Sequence, residues 1–133
     1  MDRRTLPRYP CPDLCVTSRS SGLGGIFERT PRRLHPLGYN HAGLAVLAPM
    51  AAGVGKRLQL QLSFGALHIT RLDAIVQNCR AHPEGYRLGL HFECSSVGYR
   101  TFERMLHEIE HILASRLAAT SIPTPARNAG AVT

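Results

Sequence analysis

Residues 56–64 read "KRLQLQLSF", and their alternation decides the fold class. Leu58, Leu60, Leu62 and Phe64 fall on one face of an extended chain, with Gln59, Gln61 and Ser63 on the other. Side chains along a strand point to opposite faces in turn, whereas a helix would scatter these four apolar residues around its circumference. The stretch therefore predicts a half-buried strand. A turn at Gly65 leads into "LHITRLDAIVQNCR" (67–80), long enough to curl around the edge of a barrel. His82-Pro83-Glu84-Gly85 predicts a hairpin turn, after which "YRLGLHF" (86–92) alternates again through Leu88, Leu90 and Phe92.

Working outward from this hairpin, Leu14 to Arg19 predicts a short first strand and Ile26-Phe27-Glu28-Arg29 the centre of a second, after the turn glycines Gly22, Gly24 and Gly25. Pro31 and Pro36 are read as breaks, Gly38 as the opening of the next element, and Gly43 to Leu47 as a strand that ends at Pro49. Short strands at regular spacing, joined by Gly/Pro turns, predict a small antiparallel barrel. From about Gly98 the period changes. Phe102, Met105, Leu106, Ile109, Ile112, Leu113 and Leu117 recur at helical spacing and predict one apolar stripe packed on the barrel. Residues 119–133, "ATSIPTPARNAGAVT", have no acid and little apolar mass, and are expected to form a disordered tail.

The 133 residues suffice for one domain with a modest core. Hydrophobic residues make up 44%, aromatics only 6%, and Trp is absent, so that core is aliphatic. No apolar run is long enough to span a bilayer and no secretory leader is visible, so a cytoplasmic location is expected. Cys11, Cys15, Cys79 and Cys94 lack the density of a disulfide scaffold and the paired spacing of a zinc finger, and are read as structural thiols. The formal charge of +7 calls for an acidic or phosphorylated partner, and all 16 basic residues except Lys56 are arginines. The guanidinium fork suits phosphate and guanine edges.

"HEIEH" (107–111) matches the H-E-x-x-H zinc motif. A catalytic zinc needs a third protein ligand, and no His, Asp, Glu or Cys follows His111; His41 or His82 would have to supply it from upstream. The apolar stripe puts Ile109, Ile112 and Leu113 on the barrel and turns His107 and His111 to solvent. A solvated helix face is the preferred reading, with no metal expected.

Two stretches remain: "RRTLPRY" (3–9), with Arg4 and Arg8 in R-x-x-x-R spacing after Arg3, and "LGYNHAGLAVLAP" (37–49), a polar loop entering a strand. Together with the order of the strands and the closing helix, they resemble the PilZ domain over about residues 3–115. The family's motif is R-x-x-x-R followed by [D/N]-x-S-x-x-G. The first half is intact. In the second, alignment on Gly43 puts Gly38 at the acidic position and Asn40 at the serine; alignment on Asn40 instead puts Ala42 at the serine and Ala45 at the glycine. The first register is preferred because Gly43 then enters the strand as it does in the family.

The resemblance implies a mainly β fold, a six-stranded antiparallel barrel with a C-terminal helix packed on it. It implies an arginine-bearing flexible arm at 1–12 and a domain at 13–118, with the tail from 119. It further implies a non-enzymatic cyclic di-GMP receptor without cofactor, acting on an unidentified effector protein in bacterial motility, biofilm or secretion control. Arg3, Arg4, Arg8, Gly38, Asn40 and Gly43 would bind the ligand, with no DNA partner and no membrane insertion. The missing carboxylate at Gly38 keeps a second reading open, a PilZ-like protein–protein adaptor without nucleotide. A nucleic-acid-binding barrel is disfavoured, because Phe27, Phe64 and Phe92 fall at core-facing positions instead of forming a stacking platform.

Overall fold

The computed structural model describes residues 7–20 and 32–121. Six strands, β1 (Cys15–Ser20), β2 (Arg32–Asn40), β3 (Gly43–Ala48), β4 (Arg57–Phe64), β5 (Leu67–His82) and β6 (Gly85–Phe92), are followed by one helix, α1 (Val97–Ser121). All pairings are antiparallel and the sheet closes in the order β1-β2-β3-β6-β5-β4. Closure removes every exposed sheet edge.

The barrel interior is the aliphatic core that the alternation predicts. Leu58, Leu60, Leu62 and Phe64 of β4 all point inward, against Ile69, Leu72, Ala74 and Val76 of β5 and Leu88, Leu90 and Phe92 of β6. Helix α1 adds Tyr99, Leu106, Ile109 and Leu113, with Phe102, Met105 and Ile112 half-buried beside them. Leu117, counted in the same stripe, is 44% exposed because this end of the helix carries its side chain clear of the core. The helix continues to Ser121, past the expected tail boundary at 119. Ser96 caps its start, accepting from the Tyr99 N–H at 3.2 Å. Near the other end Arg116 pairs with Asp13 at 2.8 Å and lies over the Phe64 ring, tying the helix to the first strand's approach and to β4.

The second strand differs from the expectation. The segment expected to form it, 26–29, lies outside the described residues, as does Pro31; β2 runs from Arg32 straight through Pro36 and Gly38, neither of which breaks or opens an element. Pro36 sits where β2 has lost its β1 partner, the β1–β2 pairing stopping at Leu34, and just before the β2–β3 register shifts between Pro36 and Gly38. The β5–β6 register shifts likewise between Val76 and Asn78. The four cysteines are free thiols; Cys11 is buried, and burial pushes its thiol up to about 11.

Candidate functional site

The inward alternation of Leu44, Val46 and Ala48 on β3 sends Gly43, Ala45 and Leu47 to the outer face. By the same rule β6 turns Arg87, Gly89 and His91 outward. Cross-strand register then lines up Gly38 with Ala45, Ala45 with Gly89 and Gly89 with Asn78, across β2, β3, β6 and β5. Three consecutive positions of this outer row are Gly or Ala. All three are buried, Ala45 to 1% exposed, so this row of small residues is a floor that lies beneath other groups, Arg8 against Gly38 and the Asn78 side chain against Gly89. At Gly89 a methyl group would meet the Asn78 side chain at 2.6 Å, so the amide occupies the space that a larger residue would need.

The residues before β1 cross this face. Tyr9 forms a two-way bridge with Tyr39, its N–H donating to the Tyr39 carbonyl at 2.8 Å and its carbonyl accepting from the Tyr39 N–H at 3.0 Å. Arg8 follows the floor from Gly38 to Gly43. A methyl on Gly38 would sit 3.3 Å from Arg8 Cβ, and one on Gly43 would sit 3.1 Å from an Arg8 guanidinium nitrogen and 2.5 Å from the Leu90 carbonyl oxygen. Gly43 is therefore required twice, by the neighbouring strand and by the arginine. Desolvation, and secondarily the charge of Arg87, hold the Arg8 guanidinium below the usual arginine range.

Arg87 faces Arg80 directly in the β5–β6 register. Like charges at opposed positions are unfavourable by a few tenths of a kcal/mol to about 1 kcal/mol. Among the described residues no acid forms an ion pair with Arg8, Arg80 or Arg87. Three cations gathered around a floor of small residues are an anion-binding surface, with His91 and Asn78 supplying groups that can donate and accept.

Of the residues expected at the site, the structure brings Arg8, Gly38, Asn40 and Gly43 together; Arg3 and Arg4 lie outside the described residues. Asn40 ends β2 opposite Gly43, on the same outer face as Gly38, and is only 4% exposed. Its Oδ1 accepts from the Ala42 and Gly43 N–H groups, both at 2.8 Å, and its Nδ2 donates to the Pro7 carbonyl at 3.1 Å. The one side chain thus closes the β2–β3 turn and holds the segment carrying Arg8. Arg87, Asn78 and His91 were not singled out from the sequence. For Arg87 and His91 the signal was present in "YRLGLHF", where glycine stands at an outward position and marks a close approach.

The histidine motif takes a different form from a metal site. His107 and His111 are exposed, and among the described residues no three His, Cys, Asp or Glu are grouped to hold a metal ion. His82 lies at the end of β5, on the turn into β6. His41 does reach the helix: its ring stacks on His107 with centroids 4.2 Å apart, and its N–H and Nδ1 both meet Glu110 Oε1, at 2.6 and 2.7 Å. Partial burial pushes the Glu110 carboxyl upward, but the two His41 hydrogen bonds and the charges of His41 and His107 outweigh it and hold the group below the usual carboxylate value. A cleft of about 570 Å³ at the start of α1 includes Arg57, which pairs with Glu93 at 2.9 Å, so its charge is already answered. Phe64 and Phe92 are buried, and neither offers a surface on which bases stack.

No family model matches the chain, and no curated protein matches it significantly. Solved structures do. The chain is similar to YcgR of Escherichia coli in complex with c-di-GMP, at TM-score 0.67 and 19% identity over 91% of this chain and 50% of that one. The isolated PilZ domain of YcgR with c-di-GMP is matched over 100% of its length and 91% of this chain, at TM-score 0.62 and 19% identity. The Bacillus subtilis inhibitor of motility, MotI/DgrA, is matched at TM-score 0.64 and 15% identity over 91% of this chain and 54% of that one. The chain has the PilZ fold, a closed six-stranded antiparallel barrel with one C-terminal helix. It spans about half the length of the YcgR and MotI/DgrA chains. No helix among the described residues is long and apolar enough to cross a membrane.

Proposed function

We propose that this protein is a cyclic di-GMP receptor, a non-enzymatic bacterial module that acts in the cytoplasm on a partner protein in motility, biofilm or secretion control. The observation that carries the reading is the position of Arg8, laid across the Gly38–Gly43 floor with Arg87 beside it and no acid paired to either among the described residues. Cyclic di-GMP offers two phosphates and two guanines. A guanidinium fork can grip a phosphate, meet guanine O6 and N7, or stack on the base. Arg8 clamps from above, with Arg3 and Arg4 adding charge from the same arm. A flat base reaches the Gly38, Ala45 and Gly89 floor when Arg8 lifts from it, and Arg87 faces the second anionic group. Gly43 lets Arg8 lie close to the backbone. Asn40 contributes by holding Pro7 and the turn in place.

Gly38 favours a second reading, the adaptor that binds protein without nucleotide, since the motif's carboxylate contact with guanine is missing there. A lost polar contact of this kind weakens binding by about 1–3 kcal/mol, roughly ten- to a hundredfold. Calorimetric titration of the full chain with cyclic di-GMP, beside Arg8→Ala, separates the two. The receptor reading expects micromolar binding that the substitution weakens about a hundredfold; no heat from a folded sample would favour the adaptor.

A further inference from the structure

We propose that helix α1 positions the arginine arm through a clasp made by His41, Glu110 and His107, so that a side chain far from any ligand sets the affinity of the site. The geometry rests on three consecutive residues, each in contact with the helix, the arm or both. Tyr39 pairs its backbone with Tyr9 of the arm, while its buried phenol donates to the Leu106 carbonyl of α1 at 2.7 Å. Asn40 holds Pro7 of the arm and the N–H groups of Ala42 and Gly43. His41, next in the chain, is fixed to α1 through both its N–H and its ring on Glu110, and stacks on His107.

The turn from β2 to β3 has only two residues between its strands, His41 and Ala42. A rigid connection of that length transmits a displacement of His41 directly to Asn40, and from there to Pro7 and Arg8. The charged and titratable groups that meet here are Glu110, His107 and Glu103 from α1, Glu103 lying 3.9 Å from His107, and His41 from the turn, with the Tyr39 and Tyr99 hydroxyls and the Cys11 thiol nearby. This gives the "HEIEH" stretch a role that needs no metal. Its first histidine and second glutamate face the turn.

The affinity part of this inference rests on the receptor reading; the positional part does not. Glu110→Ala and Glu110→Gln can be compared with the native chain by amide hydrogen exchange and by cyclic di-GMP titration. Glu110→Ala is expected to speed exchange of the Tyr9 and Gly43 amides about tenfold, because local opening is set by the contacts that hold a segment. The Val76 amide, which donates to the Lys56 carbonyl at 2.9 Å away from the turn, should keep its rate. Affinity should fall about three- to tenfold through the same coupling. Glu110→Gln keeps an oxygen for the His41 N–H and should restore most of both effects. The inference is overturned if Tyr9 and Gly43 exchange as in the native chain, or if Val76 accelerates with them, which would mean general destabilisation. Absence of nucleotide binding in the native chain would defeat the receptor reading, yet the exchange rates would still decide the clasp.

Discussion

The β4–β5 side of the barrel and the β2–β3–β6 side are built from the same strand geometry and differ in which face matters. On β4 the inward residues Leu58, Leu60, Leu62 and Phe64 are the content, while of the outward glutamines Gln59 is half-buried and Gln61 accepts from the Thr17 hydroxyl of β1 at 3.4 Å. On β2, β3 and β6 the outward positions are the unusual ones: Gly38 and Gly43 against Arg8, and Ala45 and Gly89 in the same row, where a strand would ordinarily carry larger side chains. Small residues there weaken sheet propensity, and Arg80 opposite Arg87 adds repulsion. Local rules are broken where a protein meets a ligand, and stability is supplied by the rest of the barrel.

That contrast can be broken most forcefully at the packing wall. Leu62 is 1% exposed, and Leu62→Ala should cost about 2–5 kcal/mol in chemical denaturation through lost burial and the cavity left behind. The protein that remains folded should bind cyclic di-GMP as before. Arg8→Ala should do the reverse, lowering affinity by about 2.7 kcal/mol while leaving stability within about 0.5 kcal/mol. A variant that moved both quantities together would erase the distinction between the two walls.

Gly38→Asp sharpens it further. The new Cβ would lie 3.3 Å from Arg8 Cβ, a close fit that a few tenths of an ångström of arginine movement relieves. Restoring the acid at that position should tighten cyclic di-GMP binding about tenfold, or about 1.4 kcal/mol. Looser binding would mean that Arg8 and the new carboxylate satisfy each other instead of the ligand.

The smallest expected effect is in acid. Glu110 is held below its ordinary carboxylate value in the folded protein. Its contribution to stability is therefore fully present above the unfolded-state value and is lost as pH falls through the lowered one. Glu110→Gln should be less stable than the native chain at neutral pH, with the two unfolding midpoints converging below about pH 4. A constant difference down to pH 3 would exclude the charge as the source.

The packing wall was the legible one. Strand alternation in "KRLQLQLSF" and "YRLGLHF" named both the elements and the residues facing inward, because burial is a periodic property that adjacent residues report to one another. The helix was legible for the same reason, up to Leu117, where the stripe outruns the core. The second strand was not, because Pro36 and Gly38 read as breakers and only pairing with β3 shows that a bulge absorbs them. That Arg8, Gly38, Asn40 and Gly43 lie together is what the resemblance of their motifs implied, while their part in binding is the proposal. Arg87 was marked by the outward glycine of "YRLGLHF", but the placing of Asn78 beside Gly89 and the His41–Glu110 contact depend on register and on a 69-residue separation, which no local pattern carries.

The receptor reading proposed above puts the nucleotide on the outer face of β2, β3 and β6. Backbone chemical-shift mapping during a cyclic di-GMP titration tests it directly. The amides of Tyr9, Gly38, Gly43 and Gly89 should shift together and saturably, while those of Leu60, Leu62 and Ile69 on the packing wall stay in place. Saturable shifts confined to the cleft around Arg57, Ser96 and Thr101, or to the β4–β5 wall, would contradict it.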